Sequence, residues 1–327
     1  MLYPLTFTPL LKERIWGGRN LERLFQKALP NDLPIGESWE VSDRPGDVSV
    51  IANGALKGKD LRWVMQHHGE ALLGWKPRPE ESFPLLVKIL DAREKLSLQV
   101  HPPASRAAAL GGEPKTEMWY IAEAEAGAQL FVGLKRDVTR KEFQERIGNG
   151  TVAECFHRVN VSAGDTMFLP SGRVHAIGSG LVIFEIQQNS DTTYRVFDWN
   201  RVGPDGKPRA LHIAESLASM DFTDFEPGLM APPSVVNGFV STRLLVNDPL
   251  FQVRSVEFEK PAGFPLAQGR AKIIGVVNGK VRVASGGDES VILSPGRFCL
   301  VPARLSGASI ESESTAKLLV AEPRPTA

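Results

Sequence analysis

The segment Gly164–His175 has the sequence GDTMFLPSGRVH, which predicts a short strand between two turns. Gly164 and Gly172 suit tight backbone turns, and Pro170 must lie at a strand end because it cannot donate a hydrogen bond to a ladder. The turns therefore deliver His175 to a defined position. A histidine placed in this way is either a ligand or a hydrogen-bonded structural residue, and the segment alone leaves both possibilities open.

A strand with a polar face is predicted upstream, in the segment Leu96–His101 (LSLQVH). Strict alternation puts the apolar residues on one face of this strand and Ser97, Gln99 and His101 on the opposite face. An apolar outer face with serine, glutamine and histidine inside is typical of a β-barrel whose interior holds a polar site.

A further strand, residues 115–120 (KTEMWY), puts Lys115 and Glu117 on one side. Gln99, His101, Glu117 and His175 can thus converge in a barrel from three separate segments. Two imidazoles and a carboxylate suit zinc or a neighbouring divalent metal. The sequence therefore predicts one metal site built from these residues.

Three basic residues are candidates for binding an anion. Lys88 interrupts the apolar strand Phe83–Leu90, and a lysine there must pair with an anion, reach solvent or line a polar cavity. Because this strand forms a hairpin with the Gln99 strand, we expect the cavity, with solvent at a sheet edge as the alternative. Arg195 and Arg201 follow the strand Leu181–Gln188, and their guanidinium groups match phosphate oxygens. The alternative for them is a pair of surface ion pairs.

The composition excludes several classes of protein. Lys plus Arg and Asp plus Glu number 38 each in 327 residues, so no net field favours nucleic acid or an anionic membrane. The two cysteines, Cys155 and Cys299, argue against a disulfide framework and suit a reducing compartment. The N-terminus lacks the pattern of a signal peptide, and no apolar run approaches the length of a membrane span. We therefore expect a cytoplasmic protein without nucleic-acid or membrane partners.

The C-terminal part repeats the turn pattern of the first segment. Gly296–Pro302 matches Gly164–Pro170 in its spacing, but the last histidine of the chain is His212. Residues 221–240 contain several prolines and glycines, as a linker does. The sequence predicts a metal-bearing domain with short helical additions over residues 1–230 and a jelly-roll domain without metal ligands over residues 231–327.

Taken together, these segments resemble known families. The spacing G-x5-P-x-G-x2-H in Gly164–His175 is similar to the second cupin signature, whose histidine is a metal ligand. Gly36–Glu40, Lys88–Pro102, Lys115–Trp119 and Tyr194–Asp198 resemble the short bacterial type of class I mannose-6-phosphate isomerase, over nearly the whole chain and most weakly after residue 205. The large helical insertion of longer relatives is absent, which leaves the phosphate-binding residues open.

The resemblance implies a fold, a cofactor and a set of site residues. The fold is mainly β, with two cupin-like jelly-roll β-barrels and a few short α-helices. One Zn²⁺ per chain is implied, with the ligands Gln99, His101, Glu117 and His175. The implied catalytic residues are Arg195 and Lys115, and the implied substrate-binding residues are Lys88, Ser97, Lys115 and Arg195.

The implied activity is that of an aldose-ketose isomerase that interconverts mannose 6-phosphate and fructose 6-phosphate through an enediolate. A divalent metal near the developing oxyanion lowers the barrier of such a reaction. Two alternatives stay open: an iron(II) dioxygenase-like cupin, since two histidines and a carboxylate also form its metal triad, and a non-catalytic sugar-phosphate-binding protein. The sequence leaves the general base and the oligomeric state open.

Overall fold

The computed structural model describes residues 2–202, 206–287 and 289–325. The strands of the first half are β1 (Leu10–Gly18), β2 (Ile35–Val41), β3 (Asp43–Arg44), β4 (Asp47–Val48), β5 (Leu85–Ala92), β6 (Leu98–Val100), β7 (Glu117–Ala124), β8 (Gln129–Leu134), β9 (Phe156–Asn160), β10 (Thr166–Leu169), β11 (His175–Ile177), β12 (Leu181–Gln188) and β13 (Tyr194–Phe197). Those of the second half are β14 (Ser234–Asn237), β15 (Val240–Asn247), β16 (Phe251–Phe258), β17 (Ala262–Pro265), β18 (Lys272–Asn278), β19 (Val281–Ala284), β20 (Ser290–Leu293), β21 (Phe298–Val301), β22 (Ser309–Ser312) and β23 (Ala316–Pro323).

The helices are short and lie mostly in the first half. They are α1 (Asn20–Phe25), α2 (Leu61–Leu73), α3 (Ala104–Ala107), α4 (Arg140–Gly148) and α5 (Ile213–Ser219), with 3₁₀ turns at Ala108–Leu110 and Val152–Cys155. The prediction of a mainly β fold with a few short helices is confirmed. In the described part of the chain, no helix is long and apolar enough to span a bilayer.

Two antiparallel sheets build the first half. One has six strands in the order β1-β2-β5-β12-β7-β10, and the other has five in the order β13-β6-β11-β8-β9. Trp119 and Ile183 of the first sheet pack against Leu130 and Val132 of the second, so the sheets face each other across an apolar core. Polar residues of the same inner faces form the site described below.

The second half repeats this arrangement. Its sheets have the strand orders β14-β15-β16-β23-β18-β21 and β17-β22-β19-β20, and Val256, Ile274 and Leu318 of one pack with Val283 and Ile310 of the other. Two pairs of facing sheets follow from the alternation of apolar residues in both halves.

The two six-stranded sheets also pack against each other, back to back. Along β5, Val87 and Ile89 face the second half, whereas Lys88 between them faces the interior of the first half. Phe184 of β12 meets Phe298 of β21 with ring centroids 5.4 Å apart. Each fully buried phenylalanine contributes about 1.5–3 kcal/mol to folding, so the second half stabilises the sheet that carries the site.

Helices cover the outer face of the five-stranded sheet. Phe143 of α4 and Leu217 of α5 pack in one cluster with Leu98 and Val100. The predicted apolar outer face of this strand is therefore present, but the strand is shorter than expected. Leu96 packs in the interior core instead, because the alternation breaks before Leu98.

Candidate active site

Strand register places three polar residues in one row across the five-stranded sheet. Arg195 on β13 lies opposite Gln99 on β6, and Gln99 lies opposite His175 on β11. Residues directly opposite each other in antiparallel strands project from the same face of the sheet. The row therefore points into the space between the two sheets of the first half.

Glu117 completes the centre from the facing sheet. Its Oε1 lies 3.3 Å from Nε2 of His175, and its Oε2 lies 3.5 Å from Nε2 of His101. One ligand atom from each of these three buried residues lies within 4.8 Å of the others. Nε2 of Gln99 is 3.4 Å from Nε2 of His175, and a flip of this amide would present its oxygen instead.

Backbone carbonyls orient both histidines. Nδ1–H of His101 donates to the carbonyl oxygen of Thr192 at 2.8 Å, and Nδ1–H of His175 donates to that of Arg173 at 2.9 Å. Each Nε2 thus keeps its lone pair and directs it to the centre. Burial lowers the pKa of both imidazoles, and with the nearby Lys115 charge it lowers that of His101 to about 3. Both rings are neutral at pH 7.

A divalent cation fits this centre. Within the described ranges, Nε2 of His101 and Oε1 of Glu117 are buried and receive no hydrogen bond. Each such unsatisfied group costs about 1–3 kcal/mol. Here the acceptors of His101, Glu117 and His175 also lie close together. Two imidazole nitrogens and a carboxylate are a donor set typical of zinc and its neighbours. These residues could therefore hold a metal ion.

A polar cavity of about 410 Å³ adjoins the centre. The catalytic and substrate-binding residues that the family resemblance implies line it, together with Gln99: Lys88, Ser97, Lys115 and Arg195. The other lining residues were not predicted from the sequence; they are Arg14, Trp16, Glu37, Leu90, Leu96, Glu185, Asp191, Thr193 and Arg209.

Lys115 is a fixed cation beside the centre. Its Nζ lies 3.1 Å from Oε2 of Glu117. Burial would lower the pKa of Lys115, but the charges of Glu117, Glu185 and Asp191 outweigh burial and raise it. Conversely, burial would raise the pKa of Glu117, and Lys115 and His101 hold it well below its usual range. Both groups are therefore ionised at neutral pH.

Lys88 lies among carboxylates in the cavity wall. Its Nζ is 3.6 Å from Oε2 of Glu37, 3.5 Å from Oε1 of Glu185 and 3.9 Å from Oδ1 of Asp191. It also lies 4.8 Å from the centroid of the Trp39 ring. Lys88 is 3% exposed on a central strand that pairs with β2 and β12. The predicted hairpin with the Gln99 strand is wrong, because the two strands belong to different sheets. Lys88 nevertheless faces the cavity and not a sheet edge.

The two buried glutamates of this wall differ in their surroundings. Glu37 accepts hydrogen bonds from Nε of Arg14 at 2.7 Å and Nε1 of Trp39 at 2.6 Å. Burial would raise its pKa, but Lys88, Arg14 and these bonds lower it to about 2. Glu185 accepts one bond, from Nε1 of Trp119 at 2.9 Å, and burial and the Glu117 charge raise its pKa.

The arginines near β13 have different partners. Nη1 of Arg195 donates to the carbonyl of Ala210 at 2.8 Å, and its buried Nε has no partner in the described part of the chain. Arg201 donates to Asp198 at 2.6 Å and to the carbonyl of Lys95 at 2.6 Å. Arg201 is thus in an ion pair, the alternative stated for it, and it is not among the residues that line the cavity.

One signal for a missed residue was present in the sequence. Glu185 is the single carboxylate in the apolar strand Leu181–Gln188, and it lies opposite Lys88 in the register of β12 and β5. A lone charge in each of two apolar strands is a pattern that predicts a buried ion pair. Arg14 and Arg209 have no comparable signal, since tertiary contacts alone bring them to the cavity.

Comparisons with known proteins agree with this geometry. Residues 5–113 match the family model of the type I phosphomannose isomerase catalytic domain. The chain is 35% identical to a mannose-6-phosphate isomerase of Streptococcus mutans, over 92% of this chain and 93% of that one. It is 34% identical to a probable mannose-6-phosphate isomerase of Bacillus subtilis, over 99% of this chain and all of that one.

A solved structure shares the fold over nearly its full length. The crystal structure of the mannose 6-phosphate isomerase from Bacillus subtilis superposes with a TM-score of 0.89 at 30% identity and covers 98% of this chain and 99% of its own. Identity above 30% to relatives aligned over most of the chain, with the buried histidine–glutamate centre, establishes the relationship. The chain belongs to the type I phosphomannose isomerase family.

Proposed function

We propose that this protein interconverts mannose 6-phosphate and fructose 6-phosphate by metal-assisted proton transfer through an enediolate. The observation that carries the proposal is the buried cluster of His101, Glu117 and His175, which holds unpaired acceptors and adjoins a polar cavity lined by Gln99 and Lys115. The family and the named activities of the relatives support the same reaction.

The cofactor we propose is one Zn²⁺ per chain, with Gln99 as the fourth ligand beside His101, Glu117 and His175. When bound, the ion supplies positive charge that stabilises negative charge on a substrate oxygen. A neutral glutamine leaves one carboxylate in the ligand set, so the centre keeps a net positive charge and favours an oxyanion. The two histidines are already neutral and oriented, which lowers the cost of binding the ion.

The chain's own residues handle the proton and the charge. A base takes the proton from C2 of mannose 6-phosphate. The electrons of the C2–H bond form the C1–C2 double bond, and the π electrons of the C1 carbonyl move to its oxygen. The proton then returns to C1, and the O2 proton is transferred to O1, which leaves a ketone at C2 and a hydroxyl at C1. Glu185 is placed for this transfer, because it lines the cavity and its raised pKa moves towards neutrality, where general bases act best. Glu185→Gln, which cannot carry the proton, tests this role through kcat.

Lys115 and Arg195 remain charged and cannot readily act as bases. They are placed to stabilise the enediolate, Lys115 beside Glu117 and Arg195 beside Gln99. The dioxygenase alternative is less favoured, because such an enzyme has no need of Gln99 as a fourth ligand or of several cations around an anion.

We further propose that the two halves have different roles and that the protein is cytoplasmic. Residues 1–230 carry out catalysis, and residues 231–327 form a jelly roll without metal ligands; no histidine occurs after His212. Cys155 and Cys299 are both free and buried, which suits the reducing cytoplasm.

The test combines metal analysis with turnover. Purified protein should contain one zinc equivalent, lose activity on chelation and regain it with zinc, as fructose 6-phosphate formation reports. His101→Ala and His175→Ala should lose both metal and turnover and keep their β-sheet circular dichroism. His67→Ala, an exposed histidine of α2, is the matched control and should behave as wild type. A full metal equivalent in both ligand variants would refute the site, and oxygen uptake without isomerisation would favour the dioxygenase.

A further inference from the structure

The cavity wall carries charge unevenly, and this bears on where a phosphate can bind. In the six-stranded sheet, Glu37 and Glu185 flank Lys88, and Asp191 lies 3.9 Å from the same Nζ. Arg14 pairs with Glu37 and Lys115 with Glu117, so Lys88 is left facing the two carboxylates of Glu185 and Asp191, an excess of one negative charge. A phosphate dianion placed against Lys88 would therefore be repelled.

The opposite charge accumulates beyond the edge strand β13. Arg195, Arg201 and Arg209 surround one carboxylate, Asp198, which leaves an excess of two positive charges. A phosphate monoester carries about −1.5 to −2 charges at pH 7. The charge of this cluster therefore matches the phosphate group.

Arg209 is held at a fixed place beside β13. The NH of Arg195 donates to Nδ1 of His212 at 3.2 Å, and the NH of His212 donates to the carbonyl of Arg195 at 2.8 Å. With the bond from Arg195 to the carbonyl of Ala210, these contacts lay the segment 209–212 along the free edge of β13. A bridge between Val202 and Pro208 anchors the chain just before Arg209.

Asp198 fixes the direction of the Arg209 guanidinium. Nε of Arg209 donates to Oδ2 at 2.7 Å and Nη2 to Oδ1 at 2.5 Å, which is the two-bond geometry that Arg and carboxylates prefer. Asp198 is 5% exposed. Burial would raise its pKa, but hydrogen bonds from Arg209 and Arg201 lower it. The ion pair with Asp198 uses Nε and Nη2 of Arg209, and Nη1 of Arg209 takes no part in it.

The order of residues across the sheet agrees with the shape of the substrate. From the metal ligand His175 the row passes through Gln99 to Arg195, and the segment of Arg209 lies one position further out. The reacting carbons C1 and C2 must lie at the metal centre, and the phosphate is on C6, at the other end of the sugar. Arg195 is thus nearer to the chemistry and Arg209 nearer to the phosphate.

We propose that Arg209, oriented by Asp198, binds the phosphate of the substrate and makes the enzyme select phosphorylated over free hexoses. The proposal rests on the proposed isomerase function. Asp198 is a positioning residue, which acts through Arg209. Arg201 shares Asp198 but does not line the cavity, so it has no direct role.

The kinetic test separates phosphate binding from chemistry. Arg209→Ala should raise KM for mannose 6-phosphate roughly 10- to 100-fold with little change in kcat, because one charge-assisted contact is lost in ground and transition states alike. The kcat/KM for unphosphorylated mannose, which has no phosphate to bind, should not change, so discrimination between the two sugars should fall by the same factor. Arg209→Lys should restore part of it.

Asp198→Asn tests the positioning role. It should raise KM by a smaller factor and leave kcat and metal content unchanged, because the guanidinium stays but loses its orientation. Arg146→Ala is the matched control: this arginine is also held by side-chain carboxylates, those of Glu142 and Glu154, but lies away from the cavity, and its loss should change neither sugar's kinetics.

Binding of inorganic phosphate to the metal-loaded protein, measured by titration calorimetry, tests the site without turnover. Wild type should bind it, and Arg209→Ala should bind it at least 10-fold more weakly. If wild type binds phosphate through Arg209 but does not isomerise mannose 6-phosphate, the proposed function fails and the phosphate site stands. If Arg209→Ala keeps wild-type KM and phosphate affinity while Arg201→Ala or Lys88→Ala loses them, the proposal is overturned.

Discussion

The charged residues of the cavity wall lie in pairs of opposite charge. Lys115 pairs with Glu117, Lys88 with Glu185, and Arg14 with Glu37. A buried pair of this kind is costly to break from one side. Single substitutions in this wall should therefore change stability as well as activity, and the two effects must be measured separately.

Arg195 is the residue whose replacement best tests the chemistry. Arg195→Ala should lower the isomerisation rate by roughly two to three powers of ten, since it removes a preorganised cation from the developing oxyanion, and it should leave metal content and folding intact. Arg195→Lys should restore only part of the lost rate, because an ammonium cannot reproduce the planar guanidinium group.

The kinetic constants of Arg195→Ala distinguish the two roles open to this residue. A fall in kcat assigns Arg195 to the transition state, and a rise in KM alone assigns it to phosphate. Wild-type kinetics would remove Arg195 from the site and weaken the proposed function.

Glu37 makes stability depend on pH. Its folded pKa is about 2 and its ordinary value 4.5, a difference worth roughly 3 kcal/mol. Because the folded value is the lower one, this stabilisation is fully present above pH 4.5 and is lost as the pH falls towards 2. The difference in the free energy of unfolding between wild type and Glu37→Gln, from urea unfolding, should therefore be largest at pH 5–7 and shrink by pH 3.

The exposed carboxylate of Glu145 on α4 provides the control for this measurement. Glu145→Gln should show no comparable loss at any pH. A Glu37→Gln difference that did not vary with pH would contradict the assignment of its charge.

Two glycine turns at the ends of β10 place His175. Gly164 and Gly172 have φ values of +97° and +94°, a region that favours glycine. Gly172 lies three residues before His175 and also contacts the other histidine, because its NH donates to the carbonyl of His101 at 2.9 Å. The turn therefore sets the distance between two candidate metal ligands.

These glycines form a matched pair for mutation. Either alanine variant should cost roughly 1–3 kcal/mol of stability, because both require positive φ. A Cβ on Gly172 would lie 3.3 Å from the carbonyl oxygen of Ser219, whereas one on Gly164 meets nothing closer than 4.0 Å. Gly172→Ala alone should also weaken zinc binding, by roughly 10- to 100-fold as for other changes around metal ligands. Equal zinc affinities in the two variants would show that the turn does not set the ligand geometry.

The sequence predicted these elements to the extent that local patterns encode them. Turn spacing located His175, and alternation put Gln99 and His101 on one face. Neither turn spacing nor alternation predicted Arg14, Glu37 or Arg209, which reach the cavity through long-range pairing. Glu37, for example, meets Lys88 only because β2 pairs with β5, with a register shift between Trp39 and Val41. A continuous apolar run, such as that of β5, also shows that a strand has two apolar faces, but not which other sheet each face contacts.

The two halves of the molecule share the core between their six-stranded sheets, and a buried ion pair of the first half is hydrogen-bonded to the second. Lys27, which follows α1, lies 2.7 Å from Oε1 of Glu40, and the two are 3% and 4% exposed. Nζ of Lys27 also donates to the carbonyl of Gly296 in the second half at 3.0 Å. The first half is therefore bound to the turn before β21 by a charged group that cannot reach water.

We expect the entire chain to unfold in one transition. Separating the halves would expose the core between the six-stranded sheets, so neither half should persist without the other. Calorimetric and van't Hoff enthalpies should agree. Lys27→Met should lower the midpoint temperature of the single transition and reduce the free energy of unfolding by about 3–5 kcal/mol, since it leaves Glu40 buried without a counter-charge. Two resolved transitions, with only one shifted by Lys27→Met, would show that the halves are independent.

The back-to-back sheets have a consequence for the nascent chain. The strands of the first half have all left the ribosome before β14 begins at Ser234, but β23, a central strand of the covering sheet, ends at Pro323. At about 5–20 residues per second, the apolar back of the first sheet stays uncovered for on the order of ten seconds. During that interval the half-made enzyme presents the kind of surface that chaperones bind, and a product of premature termination would keep that surface permanently exposed to aggregation and proteolysis.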